Sequence, residues 1–158
     1  MIAPMAEPPV SIREMVHDDL AMVSDIERRS YEFPWSHGVF RDCLLAGYQN
    51  IVLLRNEIVA GYGVLSIAAG EAHILNICID PGHRSRGYGE KLLDELLFRA
   101  RASRVRQVFL EVRPSNERAI ALYRKKGFYL VANRPAYYQA QGGREDAAVF
   151  AKKLVIED

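Results

Sequence analysis

Apolar positions along the chain change period several times, and each change marks an element. Val10–Met15 alternates and predicts a short first strand. From Asp18 to Arg29, Leu20, Val23 and Ile26 recur at three-residue spacing behind acidic residues, which predicts a helix. The segment Tyr31-Glu32-Phe33-Pro34-Trp35 breaks it, because the residue before a proline is disfavoured in helix. Ser36 then reads as the cap of a second helix over Val39–Leu45. Three strand-like runs follow: Asn50–Leu54, Ile58–Ile67 and Ala72–Asp80. The tight turn Arg55-Asn56-Glu57 joins the first two, and Asp80-Pro81-Gly82 ends the third. At Tyr88 the period becomes helical again. Tyr88, Leu92, Leu93, Leu96 and Ala100 share a face, opposite Lys91, Asp94, Glu95 and Arg99. Gln107–Val112 is strand-like, and Ser115 can cap a helix through Lys126 that Gly127 ends. Phe128–Val131 and Asp146–Val155 are the last strands, with a Tyr/Gln/Gly-rich loop between them. The order β-α-α-β-β-β-α-β-α-β-β predicts an α/β fold, a mixed sheet covered by helices, the third and fourth being crossovers.

The composition bounds the partners. The 158 residues fit one domain, 49% hydrophobic and 26% charged, with a net charge of +1. No global field draws such a chain to nucleic acid or an acidic membrane. Arg99, Arg101, Arg104 and Arg106 form a local basic cluster, read first as a helix end suited to cations. Residues 1–9 are Ala/Pro-rich without Lys or Arg and read as a loose tail rather than a signal peptide. No apolar run approaches a membrane span. Two cysteines, Cys43 and Cys78, at a spacing that suggests no disulfide, fit a reducing compartment, so a cytoplasmic location is expected. The four histidines show no metal-ligand spacing, and no metal is expected.

The candidate chemistry begins at Asp80–Leu93, where a strand passes into a helix through Arg84-Ser85-Arg86-Gly87-Tyr88-Gly89-Glu90. A helix N-terminus offers unpaired N–H groups and partial positive charge, a phosphate site, and glycines let a ligand approach the backbone. Neither the P-loop pattern nor the third glycine of the dinucleotide fingerprint is present. Further on, Glu111 lies near the end of an apolar strand between Leu110 and Val112. Apolar neighbours favour the proton-bearing form of a carboxylate and suit it as a base. Tyr123 shares a helix face with Ala119 and Leu122, and a phenol near pKa 10 can protonate a thiolate whose thiol lies near about 8.5. Taken singly, Glu111 is equally a surface strand residue, Tyr123 and Tyr88 core aromatics, and Asn116 a second helix cap.

The pattern Arg84-x-x-Gly87-x-Gly89 resembles the pyrophosphate-binding motif of GNAT-family acyltransferases. Leu110-Glu111-Val112, Asn116, Ala119, Leu122-Tyr123 and Gly127-Phe128 resemble that family's second CoA-binding motif. The resemblance implies the GNAT fold, with acetyl-CoA as cosubstrate at the turn between the fourth strand and the third helix. It implies Glu111 as base and Tyr123 as acid. It assigns Ile77, Cys78, Ile79, Arg84, Ser85, Arg86, Gly87, Tyr88, Gly89, Glu90 and Asn116 to acetyl-CoA. Glu90 departs from the often basic residue of relatives, which argues for a backbone rather than a side-chain phosphate contact there. Direct transfer in this family makes Cys78 a small residue of the site, not a nucleophile.

Within the family the sequence looks most like the bacterial enzymes that acetylate the N-terminal alanine of ribosomal protein S18. Phe33-Pro34-Trp35-Ser36, Asn76-Ile77, Tyr137-Tyr138 and Gly143-Arg144-Glu145-Asp146-Ala147 carry that likeness. It implies a protein N-terminus as acceptor, with Tyr31, Phe33, Trp35, Tyr137 and Tyr138 lining its groove. The same aromatics also read as a core lid and hairpin packing. Proton affinity favours the same acceptor, since a neutral amine at pH 7 costs about 1 kcal/mol for an α-amino group and more than about 4 for lysine. A lysine or small-amine acetyltransferase and a non-catalytic acyl-CoA-binding module are the alternatives. Direct nucleic-acid binding is not expected, for want of an aromatic RNA motif.

Overall fold

The computed structural model describes residues 8–141 and 143–155, so most of the expected tail (1–7) lies outside the described residues. The elements are β1 (Val10–Glu14), α1 (Leu20–Ser30), α2 (His37–Leu45), β2 (Gln49–Arg55), β3 (Ile58–Ala68), β4 (Glu71–Ile79), α3 (Tyr88–Ala102), β5 (Gln107–Val112), α4 (Glu117–Lys125), β6 (Tyr129–Ala140) and β7 (Gly143–Lys153). The described strands form one seven-stranded sheet in the order β1-β2-β3-β4-β5-β7-β6. Only β4 and β5 run parallel. This is the mixed sheet that the element order predicts.

Pleating sends successive strand residues to opposite faces, and each face has its own core. Ile51 and Leu53 join Leu92, Leu93 and Leu96 of α3, Tyr123 of α4 and Phe150 of β7. Val52 and Leu54 join Leu20, Val23 and Ile26 of α1, Phe40 of α2 and Tyr62 of β3. The predicted face of α3 is the buried one, and each such leucine contributes about 1.5–3 kcal/mol by leaving water. Gly61 is required by packing: a Cβ there would stand 2.7 Å from Ile79 Cδ1 and 2.8 Å from the Cys78 carbonyl oxygen. Arg99 and Arg101 do occupy the last turn of α3, and Arg99 pairs with Glu95 at 3.1 Å.

Three expectations are corrected. Asp18 and Asp19 belong to a 3₁₀ turn, His17–Asp19, and α1 starts at Leu20. Buried Asp19 instead takes two hydrogen bonds from Arg13, at 2.8 and 2.9 Å, and one from the Val16 amide. The cap of α4 is Asn116, whose Oδ1 accepts from Ala119 N at 3.3 Å; Ser115 gives both its amide and its hydroxyl to Glu145. The Tyr/Gln/Gly-rich segment is no loop but most of an exposed edge strand, β6, paired with β7 out to Ala140↔Gly143. Its register slips between Arg134 and Tyr138, around Pro135 and Ala136, and Ala136 (φ 51°) donates its amide to Asp146 at 2.8 Å. A proline inside an edge-strand bulge hid the strand's period.

Candidate active site

One extra residue on β4 opens the sheet. The register with β3 pairs Val64 with Asn76 and Leu65 with Ile74, leaving Leu75 over. Such a bulge reverses the facing of everything beyond it. Ala72 and Ile74 face α3 before it, whereas after it Ile77 and Ile79 do, and Asn76 and Cys78 turn toward α1. The parallel ladder to β5 ends at the same point, with Ile74↔Leu110. Leu75–Ile79 and Glu111–Val112 therefore diverge, and the β4 wall of the gap offers N–H and C=O groups that no strand takes up. Backbone groups in that state bind extended, amide-bearing ligands.

At the end of β4, Asp80 caps a 3₁₀ turn, accepting from Gly82 N at 3.0 Å. It also receives both Nη atoms of Arg29, at 3.0 and 3.1 Å, and this pairing holds its carboxyl below the ordinary range. Arg84, Ser85, Arg86 and Gly87 are exposed as the chain enters α3. Gly87 is the helix cap with φ 79°, a left-handed conformation that costs a side-chain-bearing residue about 1–2 kcal/mol. It brings no side chain to bond the first-turn amides, so these remain available to an anion. Ser85 Oγ accepts from Arg118 of α4 at 3.1 Å, joining the turn to the next helix. Three predicted cofactor residues have other employment. The ring of Tyr88 is buried in the core, leaving its backbone to the turn. Glu90 pairs with Lys125 at 3.1 Å and Lys126 at 2.8 Å, and Lys126 first, then Lys125, holds its pKa down. Its negative charge at the helix start is thereby offset. The Asn116 amide oxygen is committed to capping.

Glu111 stands one residue past the last ladder pair, on the rim of the gap. Its apolar neighbours Leu110 and Val112 point into the α3-side core, so they do not surround its carboxylate. The carboxylate instead accepts from Arg134 of β6 at 2.7 Å, an ion pair that sequence reasoning did not supply. Arg134 also lies 5.1 Å from the Tyr137 ring centroid. Tyr137 has a raised pKa, first because its hydroxyl contacts Glu111, then through burial. Burial pushes Tyr138 up to about 12, and the Glu111 charge adds to the effect. Tyr123, 7% exposed, is also raised by burial, with Tyr138 contributing. Such a phenol keeps its proton throughout the physiological range.

Tyr31 lies at the end of α1 and directs its hydroxyl to the Ile77 carbonyl at 3.4 Å. Burial of that hydroxyl raises its pKa, and Cys78, Glu27 and Tyr123 add to this. Tyr31, Cys78, Tyr123, Tyr138 and Glu111, drawn from four elements and the loop after α1, are thus electrostatic neighbours beside the gap. Cys78 is a buried thiol whose pKa is raised by burial, which disfavours the nucleophilic thiolate. Phe33, Pro34, Tyr137 and Tyr138 line an adjoining cavity of about 510 Å³ with Glu32, Arg113 and Gln139. Arg113 covers the Tyr138 ring at 4.5 Å and pairs with Glu145 at 3.3 Å. Trp35 is not in that lining; its indole packs on Phe40, with centroids 5.3 Å apart. No described helix is long and apolar enough to cross a membrane.

The residue most clearly missed from sequence is Glu27. It is 2% exposed and accepts from Tyr62 Oη at 2.7 Å, Asn76 Nδ2 at 2.9 Å and the Trp35 amide at 2.8 Å. Its signal was present: Leu20, Val23 and Glu27 stand at i, i+3 and i+7, so a carboxylate falls on the apolar face.

Residues 20–128 match the Acetyltransferase (GNAT) family. The [Ribosomal protein bS18]-alanine N-acetyltransferase of Escherichia coli strain K12 is 36% identical over 141 residues, 89% of this chain and 95% of that protein. The enzyme of the same name from Haemophilus influenzae is 36% identical over 134 residues, 84% of this chain and 91% of its own. Among solved structures, the ribosomal-protein-S18-alanine N-acetyltransferase from Escherichia coli superposes with a TM-score of 0.89 at 33% identity, covering 95% of this chain and 97% of its own. Ard1 from Thermoplasma volcanium superposes with a TM-score of 0.83 at 28% identity, covering 92% and 98%. With the bulged and splayed strands, the glycine-capped helix and these likenesses in agreement, the chain belongs to the GNAT acetyltransferase family.

Proposed function

We propose that this enzyme acetylates the N-terminal α-amine of a protein, the alanine of ribosomal protein bS18 foremost, in the cytoplasm and with acetyl-CoA as donor. One observation carries the reading. Tyr138, in the lining of an aromatic cavity open to solvent beside the β4–β5 gap, lies within electrostatic reach of both the Glu111 carboxylate and the Tyr123 phenol. The likeness to the bS18 enzymes across most of the chain supports this choice of acceptor.

The residues fit acetyl-CoA. The first amides of α3 and the flanking Arg84 and Arg86 suit its pyrophosphate, and the unpaired wall Leu75–Ile79 suits its amide-bearing arm. In the proposed chemistry Glu111, directly or through a water, accepts the ammonium proton of the incoming amine. The freed lone pair attacks the thioester carbonyl while amides of the Asn76–Ile79 wall hold the developing oxyanion. As the C–S bond breaks, Tyr123 gives its proton to the departing sulfur, and the second proton of the former ammonium leaves the nitrogen to restore the phenol. Arg134 fixes the direction of the carboxylate, and Tyr31, Phe33, Tyr137 and Tyr138 shape the acceptor's approach. Trp35 acts from behind, as the packed anchor of the loop that carries Phe33.

The test is acetyl transfer to two peptides, one with the free N-terminus of bS18, the other α-blocked with a free lysine. Turnover of the first alone is expected. Turnover of the lysine peptide alone refutes the acceptor assignment, and acetyl-CoA binding without turnover of either refutes catalysis.

A further inference from the structure

We infer that Glu27 is a positioning residue for the acceptor: its buried carboxylate ties the loop carrying Phe33-Pro34-Trp35 to the strands that carry the reaction. The inference rests on the acceptor reading above. Its basis is the geometry of three donors from three parts of the chain. Oε1 receives the Tyr62 hydroxyl of β3 and the Asn76 side-chain amide of β4, at 2.7 and 2.9 Å. Oε2 receives the backbone amide of Trp35 at 2.8 Å. A carboxylate 2% exposed is costly unless its lone pairs are used, and here each oxygen is engaged.

The three partners do not depend on it equally. Asn76 sits on a strand that already pairs with β3 through Val64↔Asn76, and Tyr62 lies within β3 opposite Val52 of β2. Their backbones stay in place without Glu27. Residues 31–36 between α1 and α2 form no helix or strand. There the Trp35 amide bond and the packing of its indole on Phe40 hold the chain. Loss of the carboxylate therefore releases the loop, and with it the Phe33–Pro34 side of the acceptor cavity, while leaving the acetyl-CoA wall standing.

A glutamine can substitute. Its oxygen can still receive the Trp35 amide, and its NH₂ can face Asn76 and Tyr62 once the Asn76 amide turns over and the Tyr62 hydroxyl rotates to accept. A methionine of similar length cannot. The experiment compares Glu27→Met and Glu27→Gln with the wild-type chain. It measures KM for the free-α-amine peptide, kcat, the Kd of acetyl-CoA and the melting temperature. The Met variant should raise the peptide KM about tenfold or more, as expected for losing a hydrogen bond to a charged group. Its kcat and acetyl-CoA Kd should stay within about threefold, and Gln should restore KM.

An unchanged KM in Glu27→Met overturns the inference. So does a parallel loss of peptide affinity, acetyl-CoA affinity and melting temperature, which marks a purely structural carboxylate. If the Met variant does not fold, amide hydrogen exchange of the wild-type chain decides. Trp35 protected well beyond Glu32 and Phe33 sustains the anchor, and Trp35 exchanging as they do removes it. A wild-type chain that acetylates no α-amine peptide refutes the acceptor reading instead, an outcome separate from any of these.

Discussion

The proposed donor side and the proposed acceptor side of the gap are built from different materials. The donor side is backbone: a bulged strand with one unpaired wall, a left-handed glycine and the first turn of α3. The acceptor side is side chain: Phe33, Tyr137 and Tyr138 around a cavity, steered by ion pairs such as Arg134–Glu111 and Arg113–Glu145. A backbone site suits a partner that never varies, because peptide groups present the same donors and acceptors whatever the local sequence. A side-chain site can be retuned by substitution without disturbing the sheet. The proposed chemistry falls on the seam, with Glu111 of β5 and Tyr123 of α4 on either side of Tyr138 electrostatically.

The seam should therefore be the most sensitive place. Glu111→Gln is expected to lower kcat by about 10²–10⁴-fold, and Tyr123→Phe by about 10²-fold, with the acetyl-CoA Kd unchanged in both. Steady-state kinetics beside calorimetric binding checks this. Turnover within threefold of wild type in either variant would take that residue out of the chemistry. Next comes the donor side. Gly87→Ala meets no atom within 4 Å but must hold φ near 79°. At about 1–2 kcal/mol the strain should weaken acetyl-CoA about 5- to 30-fold by calorimetry, and leave the peptide KM alone.

Phe33→Ala should do the reverse on the acceptor side. Losing about 1 kcal/mol of apolar contact raises the peptide KM about three- to tenfold at unchanged acetyl-CoA affinity. A rise in the acetyl-CoA Kd for Phe33→Ala would break the division into two sides. The smallest effect concerns Asp80, whose pair with Arg29 ties α1 to the donor turn. Asp80→Asn should lower the melting temperature by about 2–4 °C at pH 7. Because Asp80 is held below the ordinary carboxylate range in the fold, the pair stabilises above the unfolded value near about 3.9. That stability disappears as pH falls through the lower folded value, so thermal melts of variant and wild type should converge in acid.

The two sides also differed in how legibly they were written. The donor turn was readable because its cause is local: glycines, a strand end and a helix start lie within a few residues. Element types were recovered almost throughout for the same reason. The acceptor side depends on pairs distant in sequence. Arg134 reaches Glu111 across 23 positions, and Asn76 reaches Glu27 across 49. No window of residues contains both partners. The start of β6 was read at Phe128–Val131, but its continuation escaped because an edge strand interrupted by Pro135 keeps no alternating period, its residues being exposed nearly end to end. The bulge at Leu75, which opens the gap, was likewise invisible, since Leu75 looks like any other apolar residue of its strand.

The parting of β4 from β5 has a further consequence for how the chain comes together. β2, β3 and β4 form an antiparallel meander joined by two-residue turns, contacts of short loop length that close early, and β1 adds to β2 across the longer connection that holds α1 and α2. The remaining strands join this meander through the ladder Glu71–Ile74 with Gln107–Leu110, the Arg106 amide on the Gly70 carbonyl and the crossover α3. The seam where the chemistry is proposed is thus also the joint between an early-closing unit and a late one. A donor molecule lying along that joint would bind the assembled chain and not the separated halves, so saturation with it would raise the cost of opening by mass action.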